Sequence, residues 1–270
     1  METIITPRKA ISLDLRELWA FRELLYIFTW RDLKVRYKQT ILGVGWVLFQ
    51  PMVTTAIFSI FFGKLAKLPS EAMPYPLFVL VGLTIWTFFS SALSTGGISL
   101  VSYESMLKKV YFPRIIIPLS ATLTAFVDFG ITLLFLAGFI VYYRFTPSVE
   151  SLWLFPLLLV ILLMVLIGLS VFTAALNVKY RDIRFILPFF IQIGLFISPV
   201  IYPIGIIYDY RKWFLYLNPL SAVIESTRSL ISGSAMNWPL IITGLATSSL
   251  ILILGLVYFS QTESYFADIA

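Results

Sequence analysis

Apolar residues dominate six stretches of this chain, approximately 44–63, 76–96, 115–141, 153–176, 185–207 and 239–260, and polar or charged positions bracket each one. A helix rises about 1.5 Å per residue and roughly 30 Å of hydrocarbon must be crossed, so about 20 such residues make one span. A helix is also the form in which a lone segment satisfies its own backbone in lipid. The pattern therefore predicts an all-α polytopic membrane protein with six transmembrane helices. It divides into an N-terminal segment (1–43), a transmembrane domain (44–260) and a tail (261–270).

Two stretches outside the spans have their own periodicity. Within the first 43 residues, Leu15, Trp19, Tyr26, Trp30, Leu33 and Tyr37 fall on one helical stripe, and Arg16, Glu23, Arg31, Lys34 and Lys38 lie opposite. Aromatics on one face and cations on the other predict an amphipathic helix in the headgroup plane. No compact apolar run with a small-residue cleavage site precedes the charges, so a secretory signal is not expected. The second stretch is 208–238, too long for a turn and too polar to span. FLYLNPLSAVIESTRSLIS (214–232) reads as two short helices broken at Asn218-Pro219, with Glu225 and Arg228 three apart and able to pair. It suits a re-entrant element before the last span. Pro51, Pro118, Pro156, Pro188, Pro199 and Pro203 kink or end helices. Ala92/Gly96, Gly194/Ser198 and Gly244/Ser248 allow close helix approach.

Charge sets the orientation. Of 20 basic side chains, fourteen lie in residues 1–43 and in the loops after the second and fourth spans. Six lie on the opposite side: Lys64, Lys67, Arg144, Arg211, Lys212 and Arg228. The basic side faces the cytoplasm, which places both termini there. The composition agrees: 59% hydrophobic, 13% charged and a mean hydropathy of +0.92. The net charge of +6 reads as cytoplasmic loops, with no nucleic-acid partner expected.

Several chemistries are excluded. With no Cys and no His there is no disulfide, thiol nucleophile, Cys/His zinc site or His-based triad. No GxxxxGK[ST] loop is present, so ATP is not bound in the usual way. The carboxylates are scattered over both sides rather than paired for metal or sugar chemistry. Neither a metal site nor a catalytic site is expected, and the chain is not read as an enzyme. Asp128 is the one formal charge deep in a span. Such a residue is a candidate proton or ion site. A lone carboxylate without an internal repeat favours pairing with a neighbouring helix. Aromatic residues reach 17% of the chain, crowding the first span (Trp46, Phe49, Phe58, Phe61, Phe62) and the fifth (Phe185, Phe189, Phe190, Phe196). Flat rings offer a sugar contact area without fixed directional bonds, although lipid-facing packing accounts for many of them.

Taken in order, several local signatures resemble one family. RDLKVRYKQTILGVGWVLFQP (31–51) joins a basic amphipathic helix to a Gly-Trp-Pro first span. LVGLTIWTFFSSAL (80–93), SYESMLKKVYFPRIIIPLS (102–120), ALNVKYRDIRFILPFFIQIGLFISPVIY (175–202) and YLNPLSAVIESTRSLI (216–231) follow, and ESYFADIA (263–270) closes the chain. Together they resemble the membrane subunits of type-2 ATP-binding cassette exporters for bacterial surface polysaccharides, over nearly the whole length.

That resemblance implies a permease of the bacterial inner membrane, acting as a homodimer with two copies of a separate ATP-binding cassette subunit. That partner carries ATP and Mg, and this chain binds no cofactor itself. The cargo is a lipid-linked polysaccharide such as an O-antigen or capsule chain, and membrane lipids surround the complex. A short coupling helix would place Glu104, Lys108, Lys109, Tyr111, Phe112 and Pro113 against the ATPase. Arg31, Lys34, Arg36, Lys38, Arg181 and Asp182 would form the cytoplasmic entrance, where the cations attract a lipid pyrophosphate. Trp46, Phe49, Phe58, Phe62, Phe189 and Phe196 would line the channel. Asn218, Pro219, Glu225 and Arg228 would gate its exit. Two alternatives stay open: the same architecture moving teichoic acid or a small hydrophobic drug or lipid, and a secondary transporter or membrane enzyme using Asp128.

Overall fold

The computed structural model describes residues 15–38, 43–70, 72–147, 151–207 and 212–263. Arg8, Lys9, Glu71, Glu150, Asp209, Arg211 and the end of the tail (264–270) lie outside them, as does the side chain of Leu15. The described residues are helical without strands: α1 (Leu15–Ala20), α2 (Arg22–Tyr37), α3 (Gly45–Phe58), α4 (Tyr75–Ser102), α5 (Glu104–Leu107), α6 (Ile116–Tyr142), α7 (Ser151–Lys179), α8 (Ile183–Ile197), α9 (Trp213–Leu217), α10 (Pro219–Ser232) and α11 (Trp238–Thr262). A wider π-helical stretch, Ser59–Leu65, extends α3.

Five of these helices are long and apolar enough to cross a membrane: α3 with its extension, α4, α6, α7 and α11. The sequence predicted a fifth span over 185–207, and here the structure differs. Helix α8 has 15 residues and stops at Ile197, about 22 Å of helix against roughly 30 Å of hydrocarbon. Ser198 is extended (ψ 147°) because a residue before proline is pushed out of the helical region, and Pro199 follows it.

Helix α4 is the centre of the bundle. It packs most extensively on α6 and α7, and α7 in turn on α11. Leu77, Phe78, Leu80, Leu158, Ile161, Leu162 and Leu166 form its fully buried heart. Small residues permit these approaches. A Cβ on Gly168 would lie 2.7 Å from the Leu252 Cα, and one on Gly255 would collide with the Gly168 backbone. Gly96 faces Ser170 in the same way, and Gly244 faces the Ala222 methyl. Buried hydroxyls bond back to their own helices, as Thr84 Oγ1 does to the Leu80 carbonyl at 2.8 Å and Thr124 Oγ1 to that of Ser120 at 2.9 Å.

Local chemistry sets the boundaries of α10. Asn218 caps its start, its side chain accepting the Leu220 N–H at 3.0 Å, and Pro219 sits at the first position, where no backbone donor is needed. Gly233 ends it in the left-handed conformation (φ 72°), giving its N–H to the Ser229 carbonyl.

A second apolar cluster closes the basic end of the bundle. Phe28 of α2, Leu100 and Tyr103 at the end of α4, Phe112, Ile116 and Phe259 meet there. Phe28 is 2% exposed, whereas Trp19, Tyr26 and Trp30 of the predicted stripe are exposed. The buried face of the N-terminal helices is thus Leu18, Phe21, Leu24, Leu25 and Phe28, a second apolar face that the aromatic stripe masked. Helix α2 packs along α6 instead of standing off the bundle in a separate layer.

Candidate functional site

The walls of a candidate passage come from helices α2, α3, α4, α6 and α8. Between them lies a cavity of about 640 Å³, within the ordinary range for small-ligand sites. Its lining mixes aromatic and polar groups: Trp46 and Gln50 of α3, Trp86, Ser90, Ser91 and Ser94 of α4, Gln192 of α8, and Arg36, Tyr37 and Asp128. Helical periodicity explains the α4 polar row, since 87, 90, 91 and 94 recur on one face at three- and four-residue steps. The walls α3 and α8 are the least embedded of the bundle. Phe49, Met52, Ile57, Ile60 and Phe61 on one, and Phe185, Phe189, Phe190 and Phe196 on the other, are large apolar side chains left exposed.

Asp128 explains how α2 is seated. It lies about 18 Å along α6 from Ile116, near the middle of a 27-residue helix. One of its carboxylate oxygens accepts from Arg36 Nη1, and the other from the Tyr37 hydroxyl. The expected neighbour-helix partner is therefore the end of α2, a helix that is not itself a span. A charge at this depth needs such a partner. One turn before Arg36 on α2, Asp32 is tied to the end of α4. Tyr103 donates to both Asp32 oxygens at 2.6 and 2.7 Å, and the Arg31 guanidinium lies 4.3 Å from the centre of its ring. Burial, followed by the Asp32 carboxylate, pushes the Tyr103 phenol above its ordinary value, so it stays a donor.

The predicted coupling residues divide into two sets. Glu104, Lys108, Lys109 and Tyr111 are exposed around α5. Glu104 pairs with Lys108 at 2.9 Å, and that bond and charge, with Arg181 nearby, hold its carboxyl below the usual range. The Tyr111 hydroxyl donates to Glu17 at 3.2 Å. Phe112 and Pro113 are buried, with Phe112 edge-on to the Phe28 ring at 5.6 Å between centres. Apolar side chains at a bundle end turn inward, so these two anchor the loop from below.

The entrance residues Arg31, Lys34, Lys38, Arg181 and Asp182 are exposed, whereas Arg36 is half-buried against Asp128. Of the six aromatics assigned to a channel, Trp46 lines the cavity, and Phe49, Phe189 and Phe196 are exposed on the outer faces of α3 and α8. Phe58 and Phe62 pack edge-on to one another, partly buried against the core. Sequence reasoning missed the polar side of the site: Gln50, Gln192 and the serine row sit in apolar runs, and their helical phase was the available signal.

At the opposite end, Arg228 is 2% exposed and acts as a clamp. Its guanidinium donates to the carbonyls of Pro199 and Val200, each at 2.7 Å, and of Phe78 at 3.2 Å. It also pairs with Glu225 at 3.2 Å and stacks 3.4 Å from the Phe78 ring centre. The break after Ser198 leaves the Pro199 and Val200 carbonyls outside a helix, and Arg228 satisfies them while also reaching the Phe78 carbonyl in α4. Glu225 accepts the Ile204 N–H at 3.1 Å, Asn218 donates to Ser198 Oγ at 3.0 Å, and Tyr75 donates to the Ile201 carbonyl at 2.9 Å. Pro219 is buried beneath them. The four residues assigned to an exit gate thus belong to a tightly bonded seat for the segment after α8.

A multi-helix membrane bundle with a polar cleft, an exposed loop after α4 and a short helix packed at its far end is an arrangement suited to a transporter's membrane subunit. The chain belongs to the ABC-2 type transporter membrane family, which it matches over residues 23–231. It is similar to an O-antigen export system permease protein RfbA of Klebsiella pneumoniae, at 28% identity over 247 residues, covering 92% of this chain and 95% of the relative. It is also similar to the protein of that name in Myxococcus xanthus, at 29% identity over 218 residues, 80% of this chain and 82% of that one. The chain is a multi-pass membrane permease of an ATP-binding cassette transporter, whose family works with an ATP-binding cassette subunit.

Proposed function

We propose that this chain is the channel-forming permease of an exporter that moves a lipid-linked polysaccharide of the O-antigen type out of the cytoplasm. The observation that carries this reading is the similarity to O-antigen export permeases over 92% of the chain. The cleft supports it, with rings for sugar faces beside amides and hydroxyls for sugar hydroxyls. Two copies, joined in the bacterial inner membrane through the exposed apolar faces of α3 and α8, form the conduit, and both termini face the cytoplasm. Lipid covers such faces in a lone copy, and a two-fold pair brings both to one seam. Each copy seats a separate ATPase subunit on Glu104, Lys108, Lys109 and Tyr111. ATP hydrolysis belongs to that partner, and this chain contributes the path.

Closure of the ATPase pair pushes on α5 and on the Tyr103–Asp32 link, and the last turns of α2 pass the push one turn along to the cleft. The Arg36–Tyr37 end of that helix bears on Asp128, and α3, the next helix in the chain, swings from α8. The headgroup enters among Arg31, Lys34 and Lys38, and the chain threads past Trp46, Gln50 and Gln192. Deleting the chain in its source cell tests this reading. Polymer retained inside the cell supports it; polymer reaching the surface in normal amount contradicts it.

A further inference from the structure

The Arg36–Asp128 contact differs in kind from the Arg228 clamp. Arg228 is 3% exposed at its side chain and holds three backbone carbonyls. Arg36 and Asp128 are 30% and 16% exposed, and both line the 640 Å³ cavity. Among the described residues lining that cavity, Arg36 is the only cation and Asp128 the only carboxylate. Among the described residues this contact is built from side chains, Arg36 and the Tyr37 hydroxyl meeting one carboxylate. A guanidinium and a phenol aimed at an oxyanion also suit a phosphate oxygen, and an arginine fork binds phosphate as readily as carboxylate. A phosphate brings more charge and more acceptor oxygens than the carboxylate it would replace. Neutral donors stand around the same space: the Gln50 and Gln192 amides and the hydroxyls of Ser90, Ser91 and Ser94.

We propose that Asp128 is an exchangeable counter-ion: it occupies Arg36 and Tyr37 in the resting cleft, and the phosphate-bearing headgroup of the lipid-linked cargo takes its place there. This rests on the reading of the chain as an exporter of lipid-linked polysaccharide. The exchange does two things. It gives the headgroup a site part-way through the bundle, about 18 Å from the start of α6. It also unfastens the end of α2 from α6, so the wall α3 is free to move only when cargo is in the cleft. An empty transporter stays latched.

The native chain has no cysteine, so a pair of labels can be placed without background. Val35 on α2 and Val127 on α6 are both exposed. With V35C and V127C spin-labelled, in nanodiscs of zwitterionic lipid and with the ATPase partner bound, farnesyl pyrophosphate lengthens the measured distance. Nanodiscs of phosphatidylglycerol without it leave the resting distance unchanged. No lengthening with farnesyl pyrophosphate, or lengthening from phosphatidylglycerol alone, overturns the proposal. Inorganic pyrophosphate producing the same change locates recognition in the headgroup; a change that needs the isoprenyl chain and persists in R36Q overturns the exchange. In D128N, which keeps the shape and removes the competing charge, farnesyl pyrophosphate binds at least about tenfold tighter, because the competent fraction is no longer taxed by the latch. Equal or weaker binding in D128N contradicts the proposal. Should D128N fail to assemble, the native-chain distances decide. If exchange fails while polymer export still requires the chain, only the counter-ion role falls; if export does not require the chain, the exporter reading itself falls.

Discussion

The guanidinium of Arg228 reaches the carbonyl of Val200 across 2.7 Å, joining α10 to the broken segment that follows α8. One buried cation thereby satisfies backbone carbonyls left outside a helix where α8 ends before Pro199, and it lies on the ring of Phe78 as it does so. Removing it leaves three carbonyls and the Glu225 carboxylate without this donor. Breaking a buried pair on one side costs about 3–5 kcal/mol. Arg228→Ala is therefore expected to lower the thermal unfolding temperature of the detergent-purified protein strongly. Arg228→Lys, which keeps the charge but has no fork, should fall between the two.

Tyr103, where α4 meets the loop proposed to seat the ATPase, is bonded to α2 through Asp32. Tyr103→Phe removes one charge-assisted hydrogen bond, about 1.5–3 kcal/mol in general, and leaves the ring packing intact. The variant is expected to bind its ATPase partner normally while cargo-stimulated ATP hydrolysis drops several-fold. Because the Tyr103 phenol is raised above its ordinary value, the link is complete below about pH 10 and is lost only as pH climbs beyond that. Coupling in the native protein should thus show no break from this group between about pH 6 and 9.

The exposed set around α5 tests docking. Alanine at Lys108, Lys109 and Tyr111 together should weaken co-purification of the ATPase by at least about tenfold, the scale of one or two lost interface anchors. Alanine at Phe112 should instead lower stability, since that ring is 3% exposed against Phe28.

Much of this fold is legible in the sequence because hydrocarbon thickness imposes one strong rule. Stretches predicted at 76–96, 115–141 and 239–260 correspond to Tyr75–Ser102, Ile116–Tyr142 and Trp238–Thr262. Hydropathy does not register backbone geometry, so 185–207 looked continuous although Ser198-Pro199 ends the helix. The Glu225–Arg228 pair was readable from its spacing, but the carbonyls that Arg228 holds come from residues 28 to 150 positions away. Asp128 stood out as a buried charge, yet its partners, Arg36 and Tyr37, lie 92 and 91 positions earlier on a helix read as a surface anchor. Hydropathy averages over Gln50, Gln192 and the serine row for the same reason: a polar face inside an apolar helix changes the mean very little.

Close packing of α7 on α11 offers a test of the scaffold that leaves the cleft untouched. Gly168→Leu puts a branched side chain where even a Cβ would meet the Leu252 backbone at 2.7 Å. Overpacking of this kind costs about 1–3 kcal/mol or more. Reduced yield of folded protein is expected, visible as aggregation in size-exclusion chromatography.

The central claim is that this chain forms the path for a lipid-linked sugar chain driven by a partner's ATP. It is tested most directly in vesicles holding the purified chain and its ATPase, loaded with a fluorescent lipid-linked oligosaccharide on the ATPase-facing leaflet. The account predicts ATP-dependent appearance of the sugar on the opposite leaflet, reduced at least about tenfold when Trp46, Gln50 and Gln192 are replaced by alanine, the loss that 1.4 kcal/mol of barrier represents. ATP hydrolysis with no movement of the sugar, or movement unaffected by those substitutions, would contradict it.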